Sequence, residues 1–160
     1  MQKSKHFKSY EIVDRETYRI YGEFSYRFFD PILLRVADWL RDELGPVTCN
    51  NWFWNKDKPA WDVFEWSGLR TARWDEVQPS RQLNSKKKYT PYSDHALGNA
   101  LDLKFRDHSA EYVRQYIRDN WERIASDTGA VSLTLEDGPT ISWVHLATRN
   151  NNEGVNTFYM

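Results

Sequence analysis

A single cysteine, Cys49, stands in 160 residues, which excludes a disulfide framework and a thiolate metal cluster. A lone thiol needs an activating partner to act as a nucleophile, and free cysteine is far more often a small buried hydrophobe. An excess of charge of one sign is also lacking: 22 Lys and Arg against 23 Asp and Glu leave a formal net charge of −1. No overall positive field gathers nucleic acid or anionic lipid, so neither is expected as a partner. No run approaches the roughly 18 apolar residues of a membrane span, and the opening MQKSKHFKSYEIVDRE has no apolar centre of a signal peptide. The expectation is a soluble chain made in a cytoplasm without a signal peptide.

What is abundant is aromatic. Eight Trp, nine Tyr and eight Phe suit either a Trp-built core or a binding surface, and burial is the commoner use. The length fits one domain. Residues 1 to 27 are polar and aromatic without a clean period, which reads as a strand-and-loop arm laid over the domain or a partner-binding extension, ahead of a domain spanning 28 to 160. Asp30-Pro31 opens a helix over 31 to 44, with Leu33, Leu34, Ala37, Leu40 and Leu44 as its buried stripe and Gly45 as its stop. Val47 to Cys49 reads as a short strand, the Trp-rich stretch to Trp66 as a loop, and 72 to 92 as a long polar connection. Lys86-Lys87-Lys88 in that connection reads as a solvated face or a guide for anionic substrate. Ala100 to Phe105 alternates like a strand. Ser109 caps a second helix that runs to Gly129, and 131 to 136 with 141 to 148 form a hairpin across Asp137-Gly138-Pro139. This order predicts an α+β domain with a largely antiparallel sheet and helices packed on one side.

The chemistry is concentrated in Ser93-Asp94-His95-Ala96-Leu97-Gly98-Asn99-Ala100-Leu101-Asp102, an S-x-H-x-x-G-x-A-x-D pattern. Imidazole nitrogen and carboxylate oxygen bind Zn²⁺ at about 2.0 to 2.2 Å, and a catalytic zinc takes three protein ligands with one position left for water. His145, alternating with apolar neighbours in Trp143-Val144-His145-Leu146, is the best third ligand. His6 lies in the arm and His108 at a helix entrance. Taken singly, each residue is an ordinary histidine, turn glycine or salt-bridge partner. Five specified residues at fixed offsets arise by chance with odds on the order of one in ten thousand, which favours a metal site.

This pattern, followed by a W-x-H strand, resembles the M15 family of zinc D,D-carboxypeptidases, D,D-dipeptidases and phage L-alanyl-D-glutamate endopeptidases, whose fold is shared with the Hedgehog signalling domain. The resemblance covers about residues 30 to 149 and implies zinc held by His95, Asp102 and His145. Upstream, Trp66-Ser67-Gly68-Leu69-Arg70-Thr71 is similar to the family's S-G-x-R-[ST] strand end, which implies Arg70 as an active-site cation. Ser93 and Trp143, lying in the two motifs, are implied as substrate contacts beside Arg70. The family likeness further implies peptidoglycan peptides as substrate and a phage origin, as an endolysin or a particle-borne enzyme.

One part of the pattern differs. Many members carry a general-base acid three residues before the last ligand, and some carry one two residues after it; here these positions are Ser142 and Ala147. Glu136, and after it Asp137, are the substitutes that the hairpin could return to the metal. The leading expectation is therefore a zinc peptidase with Arg70 and Glu136 as catalytic residues. The alternative is an M15-like virion or structural module that holds metal and contacts other virion proteins or wall peptide without cutting. A nucleic-acid role through Lys86 to Lys88 is disfavoured by the neutral net charge.

Overall fold

The computed structural model describes residues 1–58, 63–73, 90–138, 140–148 and 153–159. The Lys86 to Lys88 run lies outside the described residues.

Helix α1 spans Arg15–Tyr21 and α2 spans Pro31–Leu44. In α2 the Asp30 carboxylate accepts the Ile32 N–H, Pro31 occupies the first turn, and Gly45 ends the helix at φ 81°. The predicted second helix is two: α3, Ala110–Asp119, capped by the Ser109 hydroxyl on the Tyr112 N–H, and α4, Trp121–Thr128. The break falls at Asn120, whose amide donates to the Tyr116 carbonyl at 2.9 Å. A short polar side chain that competes for backbone carbonyls interrupts a helix where the apolar spacing alone would carry it through.

Five strands, β1 (Val47–Thr48), β2 (Ala100–Phe105), β3 (Ser132–Asp137), β4 (Val144–Ala147) and β5 (Gly154–Tyr159), form one sheet in the order β1-β2-β4-β3-β5. Every neighbouring pair is antiparallel except β3–β5, which is parallel. The chain is thus mixed α+β with a mostly antiparallel sheet. The β3–β4 hairpin is present as expected, with the Asp137 carboxylate accepting the Gly138 N–H at its turn. Strand β5 was not anticipated, since its sequence Gly154-Val155-Asn156-Thr157-Phe158-Tyr159 lacks the strict alternation that marks a half-buried strand.

Strand periodicity gives the sheet two unlike faces. Leu101 and Leu103 of β2, Leu133 and Leu135 of β3, and Val144 and Leu146 of β4 share one core with Leu33, Leu34 and Leu40 of α2, Val113 and Ile117 of α3, and Ile124 of α4. Full burial of each such side chain is worth about 1.5–3 kcal/mol. Residues of the opposite parity, Asp102, His145 and Glu136, are turned to the other face.

The first 27 residues are not a strand-and-loop arm. A 3-10 turn at Ser9–Glu11, α1 and a 3-10 stretch at Gly22–Phe28 follow one another, and Phe7, Ile12, Val13 and Tyr26 belong to the same core. Asp38 of α2 accepts from the Ser4 hydroxyl at 2.5 Å and the Lys5 N–H at 2.7 Å, and Tyr26 Oη donates to the Phe7 carbonyl at 2.6 Å. Short 3-10 pieces of differing pitch leave no single period in the sequence, which is why the segment reads as irregular. The described part of the Trp-rich stretch, 51–58 and 63–66, is the expected loop, pinned by Trp52 Nε1 on the Val13 carbonyl at 2.8 Å. Among the described residues no helix is long and apolar enough to cross a membrane.

Candidate metal centre

Three donors from two separate stretches of the chain converge on the polar face of the sheet. His95 comes from the turn before β2, Asp102 from the middle of β2, and His145 from β4, where it is the register partner of Asp102. His145 Nδ1 lies 2.9 Å and His95 Nε2 3.3 Å from Asp102 Oδ1. All three are buried, and their donor atoms lie within 4.8 Å of one another. Bonds of about 2.0–2.2 Å to a tetrahedral ion place ligand atoms roughly 3.3 Å apart, so this buried triad could hold a metal ion.

The surroundings orient the donors. His95 Nδ1 lies 2.8 Å from the Gly68 carbonyl oxygen, which can only accept, so Nδ1 carries the proton and Nε2 presents its lone pair to the triad. The Arg70 N–H donates to the His95 carbonyl at 3.2 Å, and the Asp102 N–H to the Ser67 carbonyl at 2.6 Å. Ser93, implied as a substrate contact, has its hydroxyl on the Ala96 N–H at 3.2 Å, closing the turn that carries His95.

Both motif glycines face main-chain oxygens of the N-terminal segment. At Gly98, φ is +71° and a Cβ would sit 1.7 Å from the Phe28 oxygen; at Gly68 it would sit 1.9 Å from the Ile12 oxygen. The Asp30 N–H donates to the Gly98 carbonyl and the Leu69 N–H to the Ile12 carbonyl, at 3.0 and 2.9 Å. The N-terminal segment therefore clamps both halves of the site.

Arg70 lies beside the triad. Its Nη2 donates to Asp102 Oδ2 at 2.8 Å and its Nε to the Trp66 carbonyl at 2.8 Å, so it steadies the Asp102 carboxylate. Burial pushes the Asp102 carboxyl up, but the adjacent His95 and His145 outweigh this and hold it far below the usual carboxylate range. Burial lowers the His95 pKa, against the pull of Asp102. The pair is thus a carboxylate beside a neutral imidazole at neutral pH, the protonation states that a cation requires.

The two candidate acids separate cleanly. Thr134 and Leu135 pair with Ala147 and Leu146, and one further step of that register sets buried Glu136 against His145. On its other side Glu136 is partnered by Phe158 of β5, whose ring meets His145 edge-on at 5.7 Å between centroids. Asp137 instead meets Arg114 Nε at 3.4 Å and Arg118 Nη2 at 3.0 Å. Ser142 is exposed and Ala147 is buried. Trp143 is half-buried, and its carbonyl accepts from Arg114 Nη1 at 3.2 Å.

The remaining candidates lie elsewhere. His6 pairs with Asp42 at 2.7 Å, and His108 lies against Tyr112 with ring centroids 4.8 Å apart. Cys49 is fully buried and its thiol is pushed up by that burial, as befits a small core residue. Sequence reasoning missed Lys104. Its Nζ donates to the Ser67 hydroxyl at 2.9 Å and stands 4.5 Å over the Phe64 ring, and burial pulls its pKa down. The signal was present in the strand Ala100-Leu101-Asp102-Leu103-Lys104, where Lys104 has the parity of Asp102. No family model matches this chain, and no match was found among the curated proteins or the solved structures.

Proposed function

We propose that this chain is a zinc-dependent, M15-type peptidase in a Hedgehog/D,D-peptidase-like fold, acting on short peptides of bacterial peptidoglycan and encoded by a phage. The observation that carries the proposal is the convergence of His95, Asp102 and His145, with His95 oriented by a backbone carbonyl as metal-binding histidines are. Zinc bound there would supply Lewis-acid activation of a water and of the scissile carbonyl.

The chain's own residues divide the remaining work. Asp102 stays ionised and His95 neutral, so neither must lose a proton to bind the cation. Arg70 fixes Asp102 and places positive charge beside the carbonyl oxygen that becomes negative during attack. Glu136, beside His145, takes the proton of the attacking water on a carboxylate oxygen and returns it to the leaving amine nitrogen. Trp143 flanks the bound peptide, while Ser93 acts through the turn it closes. Such an enzyme works at the cell wall, as an endolysin or as part of a phage particle.

The test is elemental analysis of the wild type and His95→Ala, followed by muropeptide cleavage with and without chelator. Stoichiometric zinc in the wild type and chelator-sensitive cleavage are expected. The absence of carboxylates at Ser142 and Ala147 favours one second reading, a metal-holding virion module without turnover. Bound zinc with no cleavage of any wall peptide would select it.

A further inference from the structure

We propose that Lys104, held by Ser67, is the carboxylate-recognition group of this site, so that the substrate is a short peptide carrying a carboxylate one or two residues from the scissile bond. This rests on the peptidase reading and deepens it.

Arg70 is committed to Asp102, Arg114 and Arg118 to Asp137 in the β3–β4 turn, and Arg73 to Glu16. Lys104 has no carboxylate within ion-pair distance among the described residues. Its fixed neighbours are the neutral Ser67 hydroxyl and the face of Phe64. Ammonium groups withdrawn from water are ordinarily paired with an anion, and the arrangement of Lys104 leaves that anion to a ligand.

Position then defines the ligand. Lys104 shares the strand face of Asp102 and lies two residues along β2, about 6.6 Å at the usual strand rise. A peptide residue spans roughly 3.3–3.6 Å when extended. A carbonyl at the triad and a carboxylate on Lys104 are therefore separated by one to two residues of an extended substrate. Ser67 links the two ends: its carbonyl holds the Asp102 N–H and its hydroxyl holds Lys104. The carboxylate is either the main-chain terminus or an acidic side chain.

The experiment uses the full, zinc-loaded chain and the stem peptide L-alanyl-γ-D-glutamyl-L-lysyl-D-alanyl-D-alanine in three forms: unmodified, amidated at its C-terminus, and amidated at the glutamyl α-carboxylate. One amidation should lower kcat/KM on the order of 10- to 100-fold, mainly through KM, and identify which carboxylate is read. Lys104→Met should lose as much on the unmodified peptide and be indifferent to that amidation, with zinc content unchanged; Lys104→Arg should recover part of the loss. Lys104→Gln, which can keep the Ser67 hydrogen bond, serves if the Met variant does not fold. Calorimetric binding of the same peptides to zinc-loaded Glu136→Gln, with and without Lys104→Gln, reads recognition without turnover. If nothing is cleaved, the peptidase reading fails, and calorimetry still decides Lys104. A wild-type preference for the unmodified peptide that survives unchanged in the Lys104 variants overturns the proposal, as does wild-type indifference to both amidations.

Discussion

Asp102 and His145 are register partners across β2 and β4, and their side chains meet at 2.9 Å. Two of the three donors are thus placed by strand pairing, where a slip of one residue would turn a donor into the core. Replacing any one of His95, Asp102 or His145 by Ala should abolish stoichiometric metal in elemental analysis. Arg70→Met should keep the metal but weaken it about 10- to 100-fold in competition with a chelator, as loss of an outer hydrogen-bonding partner does. Unchanged affinity would remove Arg70 from the site's support.

Glu136 and Asp137, adjacent in sequence, belong to different environments. Glu136→Gln should lower kcat by about 10² to 10⁴ with zinc retained. Asp137→Asn should leave turnover intact and cost about 1–3 kcal/mol in denaturant unfolding, because buried Arg114 loses a partner. The opposite pattern would reassign the base.

Gly98→Ala faces both a left-handed backbone and the Phe28 carbonyl. A loss of more than about 2 kcal/mol is expected in thermal unfolding, with weakened metal binding. Deleting residues 1–27 should yield a chain that neither folds nor binds metal, because Phe7, Ile12, Val13 and Tyr26 leave the core. A folded, zinc-binding truncation, seen by circular dichroism and elemental analysis, would show the segment to be dispensable.

Acid should destabilise the metal-free protein in two stages. With the His95 pKa lowered in the fold, the unfolded chain binds a proton below about pH 6.5 that the native chain refuses, so stability present above that pH is lost as pH falls. Asp102, also lowered, adds a second loss below about pH 3.9. Urea midpoints of chelator-treated protein between pH 8 and 3 measure both, and His95→Gln should lack the first. A midpoint that holds constant from pH 7 to 5 would contradict the burial argument.

Features with a local cause were legible in the sequence. Asp30, Pro31 and Gly45 bound α2 because capping, the first-turn proline and the positive-φ stop are each decided within a few residues. The donors were legible because His95 and Asp102 share one turn and strand, and because His145 alternates with core residues. What depends on distant partners was not legible. Strand β5 takes its place from the parallel pairing with β3, and the clamp on Gly68 and Gly98 is made by main-chain atoms of Ile12 and Phe28, which no side-chain pattern announces. Arg70 was visible as a cation, but its commitment to Asp102 follows from the packing of the Ser67–Arg70 stretch against β2.

That clamp makes a demand on shape and not on chemistry. The oxygens met at Gly68 and Gly98 belong to every amino acid, so the site asks the first thirty residues for a trajectory. Segments of different sequence that keep Phe7, Ile12, Val13, Tyr26 and the Asp30 cap and trace the same path could be grafted ahead of Pro31 with the donors still aligned, whereas a single inserted residue between Ile12 and Phe28 would shift one oxygen against the other and pull the two halves of the centre out of step.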